Sequence, residues 1–112
     1  MTSLDQLFDL LSKERCRYAL YYLEEQEGPV SVGDLAAQVG EWEADPGQVP
    51  ITEEKFRDVK VELHHDSLPR VSEAEYVRYD ADEGVVEITD EPPDFRAITS
   101  VAKVIERPDR NP

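Results

Sequence analysis

The segment "VRYDADEGVVEI", residues 77–88, restricts this chain more than any other. Apolar and polar residues alternate on both sides of "ADEG", residues 81–84, which reads as a β-hairpin. With those residues as the loop, Asp80 pairs with Val85, Tyr79 with Val86, Arg78 with Glu87 and Val77 with Ile88. That register puts Val77, Tyr79, Val86 and Ile88 on one face and Arg78 opposite Glu87 on the other. A slip of one residue would lose both matches. The rest of the chain must therefore supply a core for one face of a hairpin.

Helical patterns supply it. "LDQLFDLL", residues 4–11, places Leu4, Leu7, Phe8 and Leu11 on one face, with Ser3 as N-cap. Ser12 is expected to cap a second helix, "KERCRYALYYLEEQ", that ends near Gly28-Pro29. Val30-Ser31-Val32 reads as a short extended link. Val32, Leu35, Ala36 and Val39 mark a third helix ending around residues 40–43. "ADPGQVP", residues 44–50, is a loop. Thr52 caps a fourth helix, with Glu53 and Glu54 in its first turn, where acid suits the helix dipole. Its core face holds Phe56, Val59 and Leu63, and Pro69 is expected to kink or break it, freeing the His65 carbonyl. After "EPPD", a fifth helix over about residues 94–107 carries Ile98, Val101, Ala102 and Ile105 in a stripe, and Pro108 stops it.

The order is helix, helix, link, helix, loop, helix, hairpin, helix. It predicts an α+β, mostly α fold: a winged helix-turn-helix with a C-terminal helix. Residues 3–90 would form the winged domain, 91–107 a dimerising helix, and 108–112 a frayed tail.

The charge is −14 at neutral pH, from 26 acidic against 12 basic residues. Only four of the basic residues are lysines: Lys13, Lys55, Lys60 and Lys103. The acid is dispersed, with no acidic tail, so it reads as adaptation of a whole surface to concentrated salt. At about 1 M salt the Debye length is roughly 3 Å, and self-repulsion is screened. Cys16 is alone, which excludes an internal disulfide. It recurs with Ala19, Leu20 and Leu23 at helical spacing and reads as a small buried residue. No leader or membrane-spanning run is apparent, so a cytoplasmic protein that does not enter a membrane is expected.

"LFDLLSKERCRYALYYLEEQEGPVSVGDLAAQV", together with "HHDSLPRVSEAEYVRYD", resembles a set of small winged-helix proteins of haloarchaea. These are distantly similar to ArsR-type and related archaeal transcriptional regulators. The resemblance spans roughly residues 4–90 and implies a winged-helix fold and a role in transcription. Members are mostly of unassigned function, so no operator or signal is implied. Glu75 departs from the pattern, which has a glycine at the helix exit, and Cys16 stands where a basic residue is common.

On the fourth helix, Arg57, Lys60 and His64 are spaced three and four apart and share a face. Lys55, His65, Ser67 and Arg70 flank them, and Arg78 lies on the hairpin. These eight residues are the expected contacts to double-stranded DNA, through phosphates and base edges. The same spacing also suits an ordinary solvated face, and Glu53, Glu54, Asp58, Glu62 and Asp66 leave the helix net negative. His64 and His65 diverge by about 100° on a helix, so they do not chelate one ion together. No metal, cofactor or catalytic motif is expected, and an enzyme is not. Tyr18, Tyr21 and Tyr22 read either as core and core edge or as a dimer surface. For a homodimer the expected contacts are Phe95, Ile98, Val101, Ala102 and Ile105, with Tyr18 and Tyr22 adding area. Trp42 reads either as a cover for the end of the third helix against the long loop or, preferably, as a core-packing residue.

Two functions compete. One is a DNA-binding transcriptional regulator adapted to high salt, its fourth helix in the major groove. The other is a winged-helix module that binds a protein partner and never DNA. The acid at Asp80–Glu83 favours the second, since it would meet phosphates.

Overall fold

Capping side chains set where the first helices begin and end in the computed structural model, which describes residues 3–108. The Ser3 hydroxyl accepts the Gln6 N–H at 3.1 Å and opens α1 (Leu4–Leu11). Ser12 does not cap the second helix. Its hydroxyl donates to the Asp9 carbonyl at 2.6 Å and closes α1, while α2 (Glu14–Glu25) starts after Lys13 with no side-chain cap. The face of α1 also differs from expectation. Leu7 and Leu10 are buried, Leu11 is half-buried, and Leu4 and Phe8 are about half exposed. Leucine and phenylalanine cover a wide arc of this helix, and contact with α2 selects which side turns inward.

Helix α2 is the centre of the molecule. It meets α1, α3 (Val32–Glu43), α5 (Leu68–Val71), α6 (Pro93–Glu106) and β3 (Val85–Ile88), and it buries Cys16, Tyr18, Ala19, Leu20, Tyr21 and Leu23. A helix apolar most of the way round needs neighbours most of the way round. Burial pushes the Cys16 thiol up to about 11, which keeps it an inert packing group. Tyr18 is packed in the core with its ring edge-on to Trp42, centroids 5.8 Å apart. Trp42 thus packs against the core beside α2, as its core reading expects, with the Lys103 ammonium 5.8 Å from its ring centroid.

The link at Val30–Ser31 is a strand, β1, paired antiparallel to β3 (Val85–Ile88), with Val30 opposite Val86. Strand β2 (Val77–Asp80) pairs the other edge of β3 in the expected register: Val77 with Ile88, Arg78 with Glu87, Tyr79 with Val86, Asp80 with Val85. The order β1-β3-β2 makes the hairpin part of a three-stranded sheet. Gly84 closes its loop at φ +68°, in the left-handed region. Glu75 does not need that region: among the described residues, positive φ occurs at Gly84, Asp90 and Arg107. The helix exit therefore tolerates a non-glycine there.

Helix α3 (Val32–Glu43) is capped by Ser31 and buries Val32, Leu35, Ala36, Val39 and Gly40. The loop after it contains a short turn at Pro46–Gln48, and Thr52 caps α4 (Glu53–Glu62), its hydroxyl accepting the Lys55 N–H at 3.0 Å. Pro69 does not break this helix. A π-helical turn at Leu63–Ser67 precedes it, the Leu68 N–H donates to the Leu63 carbonyl, and the run continues as α5 (Leu68–Val71). Proline brings no N–H, and the wide turn absorbs the mismatch. Helix α6 (Pro93–Glu106) ends at Arg107, whose φ is +51°. The tail expected over 108–112 lies, apart from Pro108, outside the described residues. The chain is α+β and mostly helical, and no described helix is long and apolar enough to cross a membrane.

Candidate nucleic-acid interface

Helix α4 turns Val59 and Leu63 into the core and half-buries Phe56. On the far side, Arg57, Val61 and His65 are exposed, Val61 to 50%. Among the described residues, Arg57 and His65 enter no ion pair and no side-chain hydrogen bond. On the flank toward the hairpin, the Lys60 ammonium lies 6.0 Å from the Phe56 ring centroid. One turn on, His64 Nδ1 lies 2.5 Å from the Tyr79 hydroxyl, with the two rings tilted. Lys60 and His64 line a groove of about 330 Å³ whose opposite wall is Gly33 and the hairpin tip, Asp82, Glu83 and Gly84. Acid and base therefore share one concave surface.

The other four predicted contacts do not join this face. Lys55 is committed to Glu43 at 3.1 Å, and Arg15 donates to the same carboxylate with two nitrogens, at 2.5 and 2.6 Å. Burial would raise the Glu43 carboxyl, but these hydrogen bonds outweigh it and hold the group below its ordinary range. Ser67 is buried and donates to Glu62 at 2.7 Å. Arg70 pairs with Asp66 at 3.2 Å on the opposite flank, where its charge acts on Cys16. The π turn explains both corrections. It absorbs one extra residue, so every later side chain is set back by about 100°. Ser67, which would follow Lys60 and His64 on an unbroken helix, rotates into the core instead. Arg78 is 74% exposed and sits 3.8 Å from Glu87, as the register requires.

The predicted dimer contacts divide as well. Tyr18 is in the core and cannot meet a partner, and Tyr22 is half-buried against the core. On α6, Phe95 and Ala102 pack inward, Phe95 edge-on to Tyr76 with centroids 6.1 Å apart. Ile98 is half-buried. Val101 and Ile105 are 59% and 77% exposed, and Val104, absent from the predicted stripe, is 66% exposed. The inward line is held to α2 by polar contacts: Glu106 accepts from Arg17 at 2.7 and 2.8 Å and from Tyr21 at 2.9 Å, and Lys103 pairs with Glu25 at 2.7 Å. These charged anchors favour one rotation of α6, and they leave the valine–isoleucine edge outside.

The family described as a domain of unknown function, DUF7344, matches residues 8–87. The chain belongs to the DUF7344 family. No curated protein and no solved structure matches it. The DUF7344 match runs from Phe8 in α1 to Glu87 in β3. It takes in α4, the π turn and the hairpin, with the whole groove, and leaves α6 outside. Within this DUF7344 chain two site residues escaped the sequence reading. Val61 was legible as an apolar residue off the 56-59-63 stripe. Tyr79 was assigned to the hairpin core face, and nothing local signals that its hydroxyl meets His64.

Proposed function

We propose that this DUF7344 chain is a DNA-binding winged-helix protein of the transcription-regulator type, with α3 and α4 as its helix-turn-helix and β2–β3 as its wing. The observation that carries the reading is the outer face of α4. Arg57, Val61 and His65 stand exposed on a helix whose opposite side is locked into the core. Arg57 would contact a phosphate or a guanine edge, Val61 a thymine methyl, and Lys60 and His65 phosphates. The pairing of β1 with β3 supports the reading further, since it seats the wing beside the N-terminus of α3. His64 serves to hold α4 to the wing. The acidity of the remaining surface is adaptation to concentrated salt. Dimerisation through Val101, Val104 and Ile105 of α6, with Ile98 at the edge, would present two copies of α4 to a palindromic site.

A second reading, a winged-helix module for a protein partner, draws on one observation. Asp82 and Glu83 share a groove with Lys60 and His64, so phosphates approaching from that side meet carboxylates. Genome-wide crosslinking of the tagged chain in its native cells separates the two. Discrete sites that vanish in Arg57→Ala are expected. Uniform background with a co-purifying protein would sink the DNA reading.

A further inference from the structure

We infer that α1 and α6 together form the face on which a second copy of this chain docks, with the two α6 helices antiparallel and meeting at Val101. This rests on the α6 dimer of the DNA-binding reading, to which it adds a second wall and a register. Of the large apolar side chains that are exposed among the described residues, Leu4 and Phe8 lie on α1 and Val101, Val104 and Ile105 on α6, leaving only Val49 and Val61 elsewhere.

The two helices are neighbours at their C-terminal ends. The Arg17 guanidinium donates to the Leu11 carbonyl at 2.8 Å and to the Glu106 carboxylate at 2.7 and 2.8 Å, so one side chain bridges both. Leu4 and Phe8 stand on the flank of α1 turned away from Gln6, whose amide donates to the Glu73 carbonyl at 3.3 Å. Val101 and Ile105 stand on the flank of α6 turned away from Lys103, which is held by Glu25 and lies beside Trp42. Each helix thus spends one flank inside the molecule and leaves an apolar flank exposed. A specific interface buries roughly 1,000 Å² or more in total, and a second helix beside α6 brings that area within reach.

Charge selects a second copy as the occupant. The chain is 34% charged and carries −14, yet every exposed residue of α6 after Arg96 is uncharged: Ala97, Ser100, Val101, Val104 and Ile105. Two copies of an acidic chain repel most where acid would face acid, and this strip has none. A basic partner would gain from carboxylates here, and the strip withholds them. The strip is also its own complement under a two-fold axis. With the helices antiparallel about Val101, Val101 meets the partner's Val101, small Ala97 meets the partner's Ile105, and Ile98 meets the partner's Val104. Asp94 lies about 10 Å before Val101 along the axis and Arg107 about 9 Å after it, so each Asp94 falls beside the partner's Arg107. Both are exposed, and neither enters an ion pair among the described residues.

The test uses the full chain at multimolar KCl, where self-repulsion is screened. Sedimentation equilibrium should give a dimer. Phe8→Ser should weaken it by about tenfold or more and leave the melt of the dissociated chain nearly unchanged, because Phe8 is half exposed there. Val101→Cys should link to itself on mild oxidation, since the two-fold axis sets the two sulfurs together. Cys16 is buried and does not compete. Ala97→Cys mixed with Ile105→Cys should link as the mixed pair, which a parallel arrangement would not give. A dimer unchanged by Phe8→Ser, or one whose cysteine variants stay unlinked, would overturn this arrangement and leave the α6 dimer itself standing. A parent monomer at tens of micromolar would overturn both, and Arg57-dependent DNA binding by that monomer would still uphold α4 as the reading element.

Discussion

His64 Nδ1 lies 2.5 Å from the Tyr79 hydroxyl, and this contact ties the π-helical turn after α4 to the first strand of the hairpin. His64 is half-buried, so neither group is easily satisfied by water once the other is removed. Tyr79→Phe should therefore cost about 1 kcal/mol of stability, and His64→Ala somewhat more, through the lost ring contact. Urea denaturation of both variants checks this. Midpoints equal to the parent's would mean that the contact is dispensable.

Arg57 is the better probe of function, because the fold does not use it. Arg57→Ala should weaken DNA binding while stability stays within about 0.5 kcal/mol. The comparison needs a binding titration and a melt on the same preparation. Intact binding would remove α4 as the reading element.

Salt should act in an unusual direction. DNA binders ordinarily lose affinity as salt rises, because binding releases cations from the phosphates and added salt opposes that release. Here Asp82 and Glu83 sit beside Lys60 and His64, so docking would take up cations between carboxylates and phosphates. Affinity should fall little, or increase, between low and multimolar KCl. A steep monotonic loss in fluorescence anisotropy would contradict the assigned surface.

The proposed dimer would rest on the outer edge of α6. Val101, Val104 and Ile105 are each more than half exposed, over two adjacent turns. The double variant Val101→Asp, Ile105→Asp should be a folded monomer, because α6 remains docked on α2 through Arg17 and Glu106. Light scattering at high salt should give a dimer for the parent chain. A parent monomer would leave this edge simply as exposed apolar surface.

Acid should loosen two ion-pair centres. Hydrogen bonds from Arg15 and Lys55 hold Glu43 below its ordinary range against burial, and a hydrogen bond from Arg17 is the main cause of the same shift in Glu106. A carboxyl lowered in the folded state contributes stability above its unfolded pKa and loses it as pH falls through the folded value. The loss should therefore begin near pH 4.3, about the unfolded glutamate value, and grow below it. Glu43→Gln should cost about 2 kcal/mol at neutral pH and flatten this acid slope. An unchanged slope in Glu43→Gln together with Glu106→Gln would assign acid sensitivity elsewhere.

What the sequence by itself determined was local. The hairpin register followed from alternation and loop length, because a slip would have moved each side chain to the wrong face. The caps at Ser3 and Thr52 followed because a hydroxyl needs only the N–H three residues ahead. The core stripe of α4 at Phe56, Val59 and Leu63 followed from its period. Tertiary structure decided whatever depended on a distant neighbour. Contact with α2 chose Leu7 and Leu10 over Leu4 and Phe8. Trp42, from α3, met Tyr18 in the core and took it from the surface. One π turn, invisible as a spacing, moved Ser67 and Arg70 off the face shared by Lys60 and His64. Local hydrogen bonds and periodicity are written in adjacent residues, whereas burial depends on which elements cover which faces.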